Sequence, residues 1–450
     1  MLERRLDATD AAAIIVSNVI GSGIFITPAI IAGMVPHPAA VVGVWLVGGL
    51  LALAGAMAYA ELATLRPRSG GEYVYLREAF GPMSGFLSGW TSFVAGFSGA
   101  VAASAVGLAA YLGRFIPVAN DRTPLASLDL GLVTLTLSPQ SCIALVAIAA
   151  LSWIHVLGVG PGRIVQNVLA GLKVGVLLVF VALGLAIGRG SVEHFAATGP
   201  VLPTSFLLAL IPVMFSYSGW NAAAYVAEEI KDPARNLPRA LALGTVAVVA
   251  IYLALNVLYV YALPIAEMRG LEVRIVDAAA ERLFGRAAGD ALAAATIVIL
   301  AASISAMVMA GPRVYYAMAQ DGLFFRAAAH LHRRYRTPAV AIVAQALWSG
   351  VLVLTSTFGQ LIEYTGFAVL LFTGVAVLAL FWLRVTRPSV PRPFSAWGYP
   401  VAPALFAVAS LTIVANAIRE SPGTSGAGLA IILAGVPVFL LTRARRGRIS

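Results

Sequence analysis

Apolar residues fall in blocks of about twenty, parted by short polar connectors, from one end of the 450-residue chain to the other. A helical block of that length covers the roughly 30 Å hydrocarbon core of a bilayer. Twelve such blocks are read, near 9–33, 39–65, 83–113, 139–159, 164–188, 203–230, 238–262, 287–318, 338–356, 360–384, 399–418 and 426–442. The pattern predicts an all-α polytopic membrane protein of 12 transmembrane helices, forming a single transmembrane domain over 1–450. The first block is longer than the apolar part of a cleavable signal and is read as a span. Two blocks carry a defect. "AAAIIVSNVIGSGIFITPAI", residues 11–30, has Gly-Ser-Gly at its centre, and "FLLALIPVMFSYSGWNAAAYVAEEIKDP", residues 206–233, carries Ser216–Tyr217–Ser218–Gly219 in mid-membrane. These are the first and sixth spans, the leading members of two successive sets of five. Gly-interrupted spans at matching positions in two halves point to an inverted-repeat secondary transporter. The predicted organisation is a five-plus-five inverted repeat, 9–188 and 203–384, with discontinuous helices 1 and 6 and two additional helices in 399–442.

Physical chemistry says what the breaks are for. Backbone groups freed by unwinding a helix cost several kcal/mol each in hydrocarbon, so a break must face protein, water or ligand. From Asp10 to Ser22 is about a dozen residues, or roughly 18 Å at ~1.5 Å each, which reaches the midplane. The N–H groups of Ser22, Gly23 and Ile24 at the restart of the helix form an anion site suited to a carboxylate. The carbonyls of Val19 and Ile20, ending the preceding half, are suited to an ammonium. The break at 216–220 supplies complementary carbonyls, and the two together describe a socket for a zwitterion. Close helix packing is the other use of Gly-Ser-Gly; a second break at the repeat-related position favours the socket.

Composition agrees with the membrane reading. The chain is 60% hydrophobic and 11% charged, with a mean hydropathy of +0.90, where a soluble protein carries about 25% charged residues. The formal charge of +10 does not point to nucleic acid. With the N-terminus inside, 21 of the 30 Lys and Arg fall on the cytoplasmic side and 8 outside, and the densest clusters, "HLHRRYR" and "RARRGR", are both inside. This is the positive-inside bias, and it predicts cytoplasmic N- and C-termini. An Arg:Lys ratio of 28:2 with heavy Ala and Gly use suggests a GC-rich bacterial genome, hence the bacterial inner (plasma) membrane. Cys142 is the sole cysteine, which excludes an internal disulfide, and it reads as an inert core thiol. The longer connectors are 113–138, 263–286 and 319–337. In the third of these, Leu323, Phe324, Ala327, Ala328 and Leu331 share one face of a predicted cytoplasmic interfacial helix.

Three charged features stand out. Lys173 lies ten residues past Arg163, about 15 Å into the bilayer. A lysine at that depth is costly and as a rule faces a polar interior with a function; snorkelling is the alternative, but its stem covers only part of the distance. Glu228–Glu229 ends the inner half of span six and reads either as a cytoplasmic gate latch with a basic group such as Arg313 or as a solvated helix end. Glu363, at the outer end of span ten, reads as interfacial.

At the two breaks the chain resembles the amino acid–polyamine–organocation superfamily, and within it the bacterial members of the L-type amino acid transporter family. "NVIGSGIF" resembles the family's first-helix signature, "FSYSGWNAAAYVAEEIKDPARNLPRAL" its sixth-helix signature, and "GPRVYYAMAQDGLF" the end of its eighth helix. The resemblance implies the sodium-symporter-like broken-helix fold and amino acid transport by alternating access. It implies that Ser22 and Gly23 hold the substrate carboxylate and that the main chain around Phe215 and Ser218 holds the amine. By the same resemblance Phe215 is an aromatic gate, and Tyr217, Trp220 and Asn221 shape the pocket. It also sets Lys173 beside the first broken helix, with its ammonium where sodium-coupled relatives hold a sodium ion; Ser303 or Ser305 is the nearby hydroxyl, and a proton-linked role for the lysine stays open.

Spans 1, 3, 6, 8 and 10 offer Ser, Thr, Gly, Ala and aromatic groups but no mid-membrane acid. A cationic substrate would need a buried carboxylate, so neutral L-amino acids are expected, moved by a sodium-independent exchanger. The alternatives are a proton-coupled symporter and a non-transporting amino acid sensor on the same fold. A membrane enzyme is disfavoured, since no nucleophile–base spacing or paired His, Cys or carboxylate cluster stands in the spans. Neither a metal site nor a cofactor is suggested. Animal members of the family pair with a single-span glycoprotein through a cysteine in the outer loop after span three; loop 113–138 has none here, so no obligatory protein partner is expected.

Overall fold

The computed structural model describes residues 4–131, 134–196, 199–271, 275–355, 358–420 and 422–446. The first span is α1 (Ala8–Val19) and α2 (Ser22–Met34), bent by 45° at the break. A capping box starts α1: the Asp7 carboxylate accepts from the Thr9 and Asp10 N–H groups at 2.9 and 2.8 Å. Next come α3 (Pro38–Leu65), the short α4 (Glu72–Phe80), and a third span made of α5 (Pro82–Thr91), a π turn at Ser92–Gly96, and α6 (Phe97–Leu112). The chain then forms α7 (Pro139–Val156), α8 (Val159–Ile187), α9 (Pro203–Tyr217), α10 (Ala222–Tyr225) and α11 (Pro233–Ala262). After α12 (Ile265–Met268) and α13 (Ile275–Phe284) it completes α14 (Arg286–Gln320), α15 (Ala339–Thr355), α16 (Phe358–Thr386), α17 (Val401–Glu420) and α18 (Pro422–Arg446). Proline opens α3, α5, α7, α9 and α11, where its missing N–H costs nothing.

Among the described residues nine helices are long and apolar enough to cross a membrane, ten with the bent pair counted as one span. Two shorter apolar helices, α9 and α15, stand at the sixth and ninth expected positions. The inner layer is α1–α2, α3, α9–α10, α11 and α14, whose packed faces carry the buried core. Apolar side chains such as Val146, Trp153, Leu178 and Leu433 stay exposed on α7, α8 and α18, as lipid-facing surface requires.

Two connectors depart from expectation. Loop 113–138 contains an antiparallel hairpin, β1 (Ala126–Asp129) and β2 (Thr134–Leu137), with Ala126 opposite Leu137. Segment 319–337 does not form the expected interfacial helix. Gly322 turns left-handed at φ +66, the Leu323 N–H closes back on the Met318 carbonyl at 2.7 Å, and only a single 3-10 turn follows at Arg326–Ala329. This is a glycine C-cap, and it ends α14 before Leu323 and Phe324 can lead a new helix. Segment 263–286 does carry helix, as α12 and α13.

One tertiary link ties the lead into α1 to the chain before α11. Residues 5–6 run beside 229–231: the Arg5 and Leu6 N–H groups donate to the Glu229 carbonyl, both at 2.9 Å, and Lys231 N–H donates to the Leu6 carbonyl at 2.8 Å.

Candidate functional site

The two breaks pack directly on each other. At Gly219 the backbone is left-handed, φ +101, and a Cβ there would lie 3.0 Å from the Asn18 Cβ. Only glycine adopts this conformation without strain, so the sixth-span break needs glycine for its turn as well as for its fit. Gly23 answers from the other side: a Cβ on it would come within 2.8 Å of the Ser216 Cα. The hydroxyls of Thr27 and Ser216 lie 2.8 Å apart across the same contact.

The start of α2 has no side-chain cap, so its first-turn N–H groups, those of Ser22, Gly23 and Ile24, lack helical acceptors by geometry. The Ser22 side chain lies outside the described residues. Of the carbonyls expected to face an ammonium, Val19's accepts from the Tyr252 hydroxyl at 2.7 Å, while Ile20's accepts from Lys173 Nζ and lies 2.9 Å from the Ser303 hydroxyl, which is also 3.1 Å from the Ile299 carbonyl. The Ile20 oxygen is therefore already engaged by the lysine.

Lys173, on α8, is fully buried. Besides Ile20, its ammonium donates to the Ser17 carbonyl at 3.1 Å and to Ser303 Oγ at 3.0 Å. The lysine does not snorkel; it fills a cage of oxygens between the first break and α14. Ser303 is the hydroxyl beside it, whereas Ser305 meets His155 Nε2 at 2.8 Å. Phe215, Ser218, Gly219, Trp220 and Asn221 line a small cavity of about 10 Å³ against α16 and Phe406, room for about one water. Phe215 packs on Gly366, Trp220 stands edge-on to Tyr59 with centroids 4.8 Å apart, and Tyr217 donates to the Trp45 carbonyl at 3.1 Å.

A family model described as amino acid permease matches residues 6–440. The chain belongs to the amino acid permease family. It is therefore a multi-pass membrane transporter of the amino acid–polyamine–organocation superfamily, not an enzyme. The permease is 29% identical to the serine/threonine exchanger SteT of Bacillus subtilis (strain 168) over 448 residues, covering 99% of this chain and 98% of that protein. It is 28% identical to the human large neutral amino acids transporter small subunit 2 over 456 residues, 98% of this chain and 80% of that protein. The human b(0,+)-type amino acid transporter 1 is 28% identical over 426 residues, with 94% and 84% covered.

Past the sixth-span break the permease carries a buried ion pair. Arg313 Nε donates to Glu229 Oε1 at 2.8 Å, and both side chains are buried. Glu229 is thus a buried, arginine-paired carboxylate and not a solvated helix end. The side chain of Glu363 lies outside the described residues, and Cys142 is half-buried.

Three groups around the site escape a reading of the sequence. Tyr252, mid-way along α11, has its hydroxyl 2.7 Å from the Val19 carbonyl and 3.1 Å from that of Ser216, so one phenol bridges both breaks. His155 reaches Ser305 from α7. Glu72, at the start of α4, is buried against Asn221 and Tyr59. Each lies outside the breaks and the quoted motifs, and only tertiary packing brings it to the site. Tyr252→Phe keeps the ring and removes the bridge. A net hydrogen bond to a buried carbonyl is worth about 1 kcal/mol, with a further cost for the orphaned acceptor, so the expected result is a five- to twentyfold rise in substrate KM, roughly. Unchanged KM in Tyr252→Phe would show that the bridge is idle.

Proposed function

We propose that this permease is a sodium-independent exchanger of neutral L-amino acids, built on twelve spans as a five-plus-five inverted repeat. The observation that carries the reading is the Lys173 ammonium, bonded to the Ser17 and Ile20 carbonyls and the Ser303 hydroxyl. Main-chain and hydroxyl oxygens at a helix break are the ligands a sodium ion would take, and a fixed cation removes the need for one. The cavity wall supports a neutral substrate: Met214, Phe215, Leu370 and Thr373 surround the sixth-span break, with no acid among the described lining residues. Substrate carboxylate would meet the N–H groups of Ser22, Gly23 and Ile24, and the amine would meet free carbonyl capacity at Val19 and around Phe215 and Ser218. The name of the Bacillus subtilis relative makes serine and threonine the first substrates to try. We further propose that the chain acts alone in a bacterial inner membrane with both termini cytoplasmic, which the charge distribution and the lack of a cysteine in loop 113–138 support.

The test is uptake of labelled L-serine, L-threonine and L-leucine into sodium-free proteoliposomes loaded with unlabelled amino acid or with buffer. Uptake confined to loaded vesicles is the expected result. Accumulation in empty vesicles driven by a proton gradient overturns exchange in favour of symport. Binding without flux under either condition overturns transport of these substrates and leaves a sensor.

A further inference from the structure

Glu72 stands apart from the arginine-paired acids among the described residues. Several buried or half-buried carboxylates hold arginine: Glu229 with Arg313, Glu61 with Arg384 and Arg392, Asp277 with Arg114, and Asp321 with Arg77. The Glu72 carboxylate is only 3% exposed, yet among the described residues its partners are all neutral. Oε1 accepts from the Tyr59 hydroxyl at 2.9 Å and from Asn221 Nδ2, and the Tyr225 hydroxyl also bonds to the group. Two tyrosines and an amide thus stand where a cation would be expected.

The groups around it bring no compensating charge. α3 offers Tyr59, α4 itself Tyr75, and α10 Tyr225; α5 has no titratable side chain. On α16 Arg384 is spent on Glu61, and just past its end Arg387 is spent on Glu78. α4 lies outside the membrane-spanning helices, and its burial raises the Glu72 carboxyl above the ordinary carboxylate range, with the bonds from Tyr225, Tyr59 and Asn221 drawing it part of the way back.

We propose that Glu72 is a positioning residue for transport: as a carboxylate it sets the side-chain amide of Asn221 and ties α4 to the sixth-span break, and taking up a proton releases that tie. The chemistry is that of donors and acceptors. A carboxylate only accepts, so the amide must present N–H to it. The second Asn221 N–H goes to the Tyr225 hydroxyl at 2.9 Å. With both hydrogens committed, the amide's remaining capacity is its carbonyl oxygen, and Asn221 lines the same cavity as Phe215, Ser218 and Gly219. A protonated Glu72 becomes a donor, the amide is free to turn over, and the charge-assisted bonds that hold α4 to the break are lost. The tie is therefore present above the raised carboxyl pKa and lost as pH falls through it. The inference rests on the reading of 216–221 as the substrate segment; the tie itself does not.

The experiment separates the two. In a Cys142→Ser background, Ala227→Cys places a thiol on the buried turn after α10. Its labelling by a maleimide added to detergent-purified protein is followed as pH is lowered, in parent, Glu72→Gln and Glu72→Asp proteins. With each rate divided by that of the same protein fully unfolded at the same pH, so that the loss of thiolate on acidification cancels, the expected result is slow labelling in the parent at neutral pH, rising about tenfold on acidification, fast labelling with a flat pH profile in Glu72→Gln, and recovery of the pH dependence in Glu72→Asp. The same three proteins are then assayed for exchange of labelled L-serine, where Glu72→Gln raises KM and loses the acidic limb. Labelling of Glu72→Gln with the parent's rate and pH dependence overturns the proposal. If labelling behaves as expected but the parent moves no amino acid, the tie stands and the substrate reading fails. A merely structural role predicts lower stability in both variants, with no change in the shape of either pH profile, and that result also overturns it.

Discussion

Exchange by Lys173→Met is expected to fall by two to three powers of ten, roughly, with the protein still folded and inserted. Methionine matches the apolar stem and removes the ammonium. The Ser17 and Ile20 carbonyls then lose a charged donor inside a dry interior. Removing one partner of a buried charged contact costs about 3–5 kcal/mol. That cost falls on the first break itself, because Ile20 caps the end of α1, two residues before α2 restarts at Ser22. The check is the initial rate of labelled-serine exchange in proteoliposomes, normalised to protein that elutes as a single species in detergent. Exchange within about twofold of the parent would show that the oxygens can be satisfied without the lysine.

Gly23→Ala is expected to reduce kcat/KM by at least about tenfold, because the added methyl meets backbone and has nowhere to go. Its Cβ would lie 2.8 Å from the Ser216 Cα and 2.9 Å from the Ser216 Cβ. A flexible side-chain tip could swing aside; the main chain of the sixth-span break cannot. The two breaks would be wedged apart, and the 2.8 Å contact between Thr27 and Ser216 would go with them. The companion variant is Gly33→Ala, on the same helix, where a Cβ meets nothing within 4 Å. It gains helix propensity of up to about 1 kcal/mol and is expected to exchange like the parent. Equal activity in both alanine variants would dissociate the tight contact from transport.

How much of this could be read from the chain differs by residue. Both breaks were visible, since Gly-Ser-Gly and Ser-Tyr-Ser-Gly have no reason to sit in the middle of otherwise apolar spans. Lys173 was visible for the same reason: a charge at mid-depth needs a partner. The choice between Ser303 and Ser305 was not. They are two residues apart on one helix, and only the position of α8 decides which faces the lysine and which faces His155. The engagement of the Ile20 oxygen was hidden too, because a carbonyl's partners depend on neighbouring helices and not on its own sequence. Glu72 was invisible for a different reason. "GGEYVYLREAF" reads as an ordinary polar connector followed by an amphipathic turn, and nothing in it says that the glutamate folds inward. The hairpin at 126–137 was lost because two four-residue strands leave too short an alternation to distinguish from loop.

The backbone link between residues 5–6 and 229–231 constrains how the molecule can move. Three main-chain hydrogen bonds join the lead into α1 to the chain just past the sixth-span break. Each is worth about 1 kcal/mol net, and none depends on a side chain, so drift in sequence at these positions leaves them intact. If the inner half of the first span swung outward alone, it would strip all three. If it swung together with residues 227–231 as one lever, it would keep them, and the mechanical hinge would then be the two breaks themselves.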